Sequence, residues 1–185
     1  MNLNNQSSSY IFSLASIEDI PFLVKLNSEW QLSNISSDMK SEGFLSAKFN
    51  ASDFEKLIKN EEVVIASFSG IVVGYYLLNN FCETIKYHEG QKVILNLIDR
   101  NKIKNRHRIG IGAQSVIEKQ HQGKGLSRFM LKLLCESVCA KYDFLYSSIS
   151  KQNIKAYQIH TKEGWFVADE DDSCHYVLLN PGSVM

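Results

Sequence analysis

The clearest hydrophobic pattern lies in the second half of the chain. An apolar run over 109–117 reads as a buried strand, and after it Leu126, Phe129, Met130, Leu133, Leu134 and Val138 recur at helical spacing. That period predicts an amphipathic helix with one face inward. A second apolar strand is expected over 144–149, then a helix over 153–164 with Asn153 as its N-cap and Gly164 just past its end. Strands over 165–168 and 174–179, separated by the acidic stretch 169–172, read as a terminal hairpin. Nearer the start, 10–15 predicts a strand, and Ser16 with Asp19 resembles a capping box for a helix over 17–31. Residues 30–49 are weakly periodic and loop-rich, and Ser52 to Glu55 starts a short helix ending near Asn60. The β-rich segments 63–68 and 71–78 are joined by Ser69 and Gly70, a hairpin signal. Residues 82–104 show only a short helix around 93–98. No internal repeat or low-complexity linker appears.

Between the 109–117 strand and its helix stand Gln122, Gly123, Lys124, Gly125, Leu126 and Ser127. A glycine-rich strand-to-helix turn leaves backbone N–H groups without intrahelical partners at the positive end of a helix dipole, which suits a phosphate or pyrophosphate. A P-loop is excluded, because Glu118 and Gly125 stand where glycine and Ser or Thr are needed. Gly110 and Gly112 do not make a dinucleotide fingerprint, since Ser115 takes the third glycine position and the glycines lie within the strand.

The turn resembles the acetyl-CoA loop of the GNAT N-acetyltransferase superfamily: Gln or Arg, two residues, Gly, one residue, then Gly or Ala. Gln120, Gly123 and Gly125 match it literally; Gln122, Gly125 and Ser127 match it where the helix begins, and that register is preferred. Asn153, Ala156, Gly164 and Trp165 are similar to the superfamily's later segment, which usually carries Asn, Ala, Tyr and Gly-Phe. The resemblance implies an α/β fold with a central mixed, mostly antiparallel sheet flanked by helices, in the order β-α-α-β-β-β-α-β-α-β-β. Residues 1–9 are expected as a flexible tail and 10–185 as a single GNAT-like domain.

It also implies acetyl-CoA as cosubstrate. Gly123, Lys124, Gly125, Leu126 and Ser127 would bind the pyrophosphate, Lys124 adding charge at the rim, with Gln122 and Asn153 in the same site. The main chain of Ser115, Val116 and Ile117 would meet the pantetheine, one N–H polarising the thioester carbonyl. The pantetheine would lie in a gap between the diverging strands, and Gly110 and Gly112 would permit a bulge or a close approach. The implied reaction is direct attack by a neutral amine in a ternary complex. An alkyl amine has a pKa of roughly 10.4, so a base must help deprotonate it. Glu118 is the first candidate, the plain alternative being a surface carboxylate beside Lys119. The family's tyrosine acid, seven residues after the asparagine, is replaced by His160, with a tyrosine instead at Tyr157. His160 is expected to serve the leaving thiolate. A catalytically weak acyl-CoA-binding sensor stands as the alternative, on the strength of that change and of Ser127.

Composition narrows the partners. Twenty basic and twenty acidic side chains balance across 185 residues, giving no global field for nucleic acid or an acidic membrane. No apolar run approaches a membrane helix, and the N-terminus lacks the apolar core of a signal peptide. A cytoplasmic enzyme acting on a small amine is expected. Trp30, Phe44, Phe81 and Tyr87 would supply aromatic surface to the acceptor, and exposed terminal strand edges leave room for a homodimer. Cys82, Cys135, Cys139 and Cys174 show no metal or redox spacing and read as free thiols; His88, His107, His121 and His175 are scattered, and no metal is expected.

Overall fold

The computed structural model describes residues 9–81 and 84–184, so Cys82 and nearly all of the expected tail lie outside the described residues. Strand β1 (Tyr10–Leu14) leads through a 3-10 turn (Ile17–Asp19) into α1 (Ile20–Glu29). The Asp19 carboxylate accepts the Ser16 N–H at 2.8 Å and its hydroxyl at 2.9 Å, as the capping pattern predicts. Helix α2 (Ala51–Lys59) is capped by Asn50 rather than Ser52. Asn50 and Asp53 satisfy each other's N–H groups at 3.0 and 2.9 Å, the same reciprocal device set two residues earlier.

Strands β2 (Val63–Phe68) and β3 (Ile71–Leu77) form the expected hairpin. Ser69 and Gly70 both have positive φ, which suits the right-handed twist of the flanking strands. Helix α3 (Ile85–Asp99) is much longer than the predicted 93–98 turn. It buries only a narrow strip around Ile94 and Leu97, so its sequence carries a weak stripe.

The predicted 109–117 strand is two strands, β4 (Ile109–Ile111) and β5 (Gln114–Ile117), in two different sheets. One sheet has the order β1-β2-β3-β5, all antiparallel. After α4 (Leu126–Val138) come β6 (Phe144–Ser150), α5 (Ile154–Lys162), β7 (Phe166–Glu170) and β8 (Cys174–Leu179). The second sheet has the order β4-β6-β8-β7, in which β4 and β6 are parallel and the other pairs antiparallel. The arrangement is the mixed, mostly antiparallel one expected, with α3 added.

The break between β4 and β5 has a local cause. Gly112 sits at φ +80, and a Cβ there would meet the Asn79 Cβ at 2.8 Å, so only glycine is tolerated. The N–H groups of Gly112 and Ala113 both donate to the Tyr146 carbonyl, at 3.0 and 3.1 Å. Beyond that point β5 pairs with β3 and β6 with β8, and the two strands part. The Ser147 hydroxyl donates to the Ala113 carbonyl at 2.9 Å and clips the apex.

Helices cover both faces of the first sheet, which is why β2 and β3 read as continuous apolar runs. Val64, Ala66, Val73 and Tyr76 pack under α4 with Leu126, Met130, Leu134 and Val138. Val63, Ile65, Tyr75 and Val116 pack under α1 and α2 with Leu23, Leu26, Phe54 and Leu57. The buried stripe of α4 runs through Ser127, Leu131 and Cys135, whereas Phe129, predicted inward, is mostly exposed and reaches Phe12 at 5.2 Å.

Candidate functional site

The parting of β5 and β6 opens a cleft of about 790 Å³ that runs from the loop after α1 to the first turn of α4. Its walls are main-chain edges. Glu118 N–H bonds back to Val73, so in this antiparallel register Val116 also pairs with β3, while Ser115 and Ile117 turn their peptide groups toward the cleft. On β6, Lys151 N–H bonds to Ser173 of the β7–β8 turn, and the same alternation turns Ser148 and Ser150 toward the cleft. Of the three residues expected to offer main-chain groups, Val116 is therefore committed to β3.

The glycine turn closes one end. Gly123 and Gly125 have φ of +74 and +77, with nothing within 4 Å of an added Cβ; glycine is needed there for backbone conformation rather than for space. Among the described residues, none of the N–H groups of residues 123–127 has a hydrogen-bond partner. They form an anion cradle at the start of α4, and Arg128 and Lys162 border it. Gln122 donates to the Ile117 carbonyl at 2.9 Å and accepts from Lys155 at 2.9 Å; Lys155 also reaches Glu42 at 3.2 Å. That bridge ties the turn to α5 and to the 37–42 segment. Lys124 points away from the cleft, its ammonium 2.9 Å from the Tyr10 hydroxyl, which contacts His121 Nδ1. Lys124, expected at the rim, does not line the cleft, whereas Arg128 and Lys162 do.

Ser127 and Asn153 spend their side chains on the scaffold. The Ser127 hydroxyl donates to Glu163 Oε1 at 2.6 Å, which explains how serine fits where the loop motif has a smaller residue. Burial raises Glu163 to about 7, against the pull of that hydrogen bond and of Arg128. Asn153 caps α5 by accepting the Ala156 N–H at 3.1 Å and donates to the Phe44 carbonyl at 3.2 Å.

The three candidate acid–base residues separate. Only His160 lines the cleft. It is buried, its Nδ1 lies 2.8 Å from the Ala156 carbonyl, and its Nε2 has no partner. A carbonyl only accepts, so the proton sits on Nδ1 and Nε2 carries a bare lone pair. Burial holds the ring at about 4, so it is neutral at pH 7 and has no proton to offer a thiolate from Nε2. On this tautomer the acid role expected of His160 would require Nε2 to gain a proton first. Tyr157 stacks on His175 at 4.3 Å, away from the cleft. Glu118 turns toward Gln120, which donates to it at 3.1 Å, and toward His121, 3.9 Å away; it too is off the cleft wall. Sequence reasoning missed Gln114, Arg128, Lys155, Lys162 and Glu163, all of which line the cleft. Only the helical position of Arg128, in the first turn of α4, carried a readable signal.

Among the described residues no helix is long and apolar enough to cross a membrane, and no cluster of His, Cys, Asp or Glu could hold a metal. Cys135, Cys139 and Cys174 are free thiols. No protein-family model matches the chain, and no curated protein matches it by sequence. Solved structures do. A GNAT-family acetyltransferase from Listeria monocytogenes is similar over 96% of this chain and 98% of its own, at 11% identity and a TM-score of 0.63. The yncA protein of Salmonella typhimurium, solved with its cofactor acetyl-CoA, is similar over 93% of this chain and 94% of its own, at 14% identity and a TM-score of 0.61. An N-acetyltransferase from Staphylococcus aureus Mu50 is similar over 94% and 99%, at 15% identity and a TM-score of 0.61. The chain has the GNAT acetyltransferase fold.

Proposed function

We propose that this chain, built on the GNAT fold, is an N-acetyltransferase that moves an acetyl group from acetyl-CoA to a small amine within a ternary complex. The observation that carries the reading is the cleft between β5 and β6, with unpartnered N–H groups of residues 123–127 at one end and strand-edge groups of Ser115, Ile117 and Ser148 along its walls. This donor set suits a pyrophosphate followed by an amide-bearing arm. Bound there, acetyl-CoA would supply the acetyl group as a thioester. The peptide N–H groups of Ser115 and Ile117 can polarise a carbonyl held against β5. Arg128 and Lys162 offset phosphate charge. Trp30, Leu32 and Phe44 form the apolar mouth through which an amine reaches the apex.

His160 carries no proton on its buried Nε2, so it is not poised as a general acid. Glu163, raised to about 7, is the cleft carboxyl nearest neutrality, but it is bonded to Ser127 at the glycine turn. That arrangement sustains a second reading, a module that binds acyl-CoA without turning it over. A thermal-shift titration with acetyl-CoA, CoA and dephospho-CoA, followed by thiol release with a panel of amines, separates the two. A ligand at a hundredfold excess over Kd stabilises by about 2.7 kcal/mol. Stabilisation with amine-dependent release supports transfer, and stabilisation without release supports the binding module. Absence of stabilisation by any of the three ligands would remove both.

A further inference from the structure

Beneath the apolar mouth lies a buried polar network whose proton count is fixed. The Tyr75 hydroxyl, fully buried, has two hydrogen-bonding neighbours among the described residues: Asn27 Nδ2 at 3.0 Å and the Gln114 amide at 2.9 Å. Asn27 cannot be turned. Its Oδ1 accepts the Phe49 N–H at 3.0 Å, and its Nδ2 also reaches the Ala47 carbonyl at 3.2 Å. Asn27 is therefore a donor to Tyr75. Burial raises the Tyr75 pKa far above its ordinary value, so the hydroxyl keeps its proton and needs an acceptor. The remaining neighbour is Gln114, whose Nε2 is placed 2.9 Å from the hydroxyl; that orientation gives Tyr75 two donors and leaves its own proton without an acceptor, and turning the amide over, which exchanges oxygen and nitrogen, supplies one. With Oε1 on the Tyr75 hydroxyl every proton is accounted for, and Nε2 is the atom turned away from Tyr75. Gln114 lines the cleft, at the start of β5 and on the face covered by α1.

We propose that Gln114 selects the acceptor: locked by Tyr75, it presents an N–H donor to the cleft and recognises an amine that also carries a carbonyl or carboxylate oxygen. This rests on the acetyl-transfer reading and gives its substrate a chemical class. A plain alkyl amine leaves that donor without a partner, whereas an amino amide or amino acid satisfies it.

The test compares L-phenylalaninamide with 2-phenylethylamine, which differ by one carboxamide, in a thiol-release assay on wild type, Gln114→Met, Gln114→Glu and Tyr75→Phe. The ratio of kcat/KM values cancels the amines' own basicity when it is compared between variants. Gln114→Met is expected to lower the amide-over-amine ratio by roughly three- to tenfold, the worth of a neutral hydrogen bond. Gln114→Glu, whose second oxygen can only accept, lowers it further. Tyr75→Phe frees the amide to face either way and lowers it less. Acetyl-CoA-induced thermal shifts are expected to persist in every variant, showing that the cleft is intact. A ratio unchanged in Gln114→Met, or an equal loss on both amines, overturns the selection role. Thermal shifts without turnover of either amine by wild type would instead overturn the acetyl-transfer reading, and the inference with it.

Discussion

Replacing Glu163 by Gln isolates a titration built into the anion cradle. The Glu163 carboxyl is held at about 7 instead of the ordinary 4.5, chiefly because burial disfavours its charge. The folded protein therefore retains a proton that the unfolded chain releases. Stability from this group is fully present below about 4.5 and is lost as pH rises through about 7. The interval between 4.5 and 7 corresponds to about 3 kcal/mol at the limit. Partial exposure and local relaxation reduce the expected effect to about 1–2 kcal/mol. Glutamine keeps an oxygen to accept the Ser127 hydroxyl and cannot ionise. Urea unfolding at pH 5 and pH 8 provides the assay. The two proteins should agree at pH 5, and Glu163→Gln should be more stable by about 1–2 kcal/mol at pH 8. An offset of the same size at both pH values would refute the reasoning, since it would mean that packing rather than charge distinguishes them.

The remaining predictions follow from single contacts. His160→Phe should leave kcat far closer to wild type than the roughly 10²- to 10⁴-fold loss of a working general acid, whereas His160→Tyr, which introduces a hydroxyl, should raise it; steady-state rates decide, and a hundredfold loss in His160→Phe would restore the acid role. Gly112→Ala combines a positive φ with a 2.8 Å contact, while Gly125→Ala has the positive φ alone. The first should therefore cost at least about 2 kcal/mol and the second about 1, read as the difference in their melting temperatures. Lys155→Ala removes the bridge from Gln122 to Glu42 and should raise the acetyl-CoA KM by roughly three- to tenfold with little change in Tm.

Element order and the glycine turn were legible because both rest on local chemistry. Ser69 and Gly70 announce a hairpin, Asn153 caps α5, and the α4 stripe is amphipathic whichever residues complete it. What escaped depends on contacts between distant segments. The split of 109–117 needs Asn79, more than thirty residues upstream, to exclude a side chain at Gly112. Lys124 looked like a phosphate ligand until Tyr10, at the other end of the chain, took its ammonium. Periodicity placed His160 inward correctly, yet the Ala156 carbonyl one turn back decides where its proton sits. Gln114 gave no signal, because its significance lies in the proton of a buried tyrosine on the neighbouring strand.

The cleft itself follows from a change of pairing partner more than from any side chain. While β4 and β6 run together, their facing peptide groups satisfy one another. Once Gly112 turns the chain, β5 pairs with β3 while β6 stays paired with β8 along its other edge, and each pairing uses only alternate peptide groups. The other alternate groups, at Ser115 and Ile117 on one wall and Ser148 on the other, are left facing the gap. A polar slot with fixed spacing thus arises from backbone geometry and tolerates almost any strand-forming residue along its walls. Under the proposed acetyl-transfer reading, side chains are then needed only at the two ends, where phosphate charge and acceptor identity would be read. That is where Arg128, Lys162 and Gln114 stand.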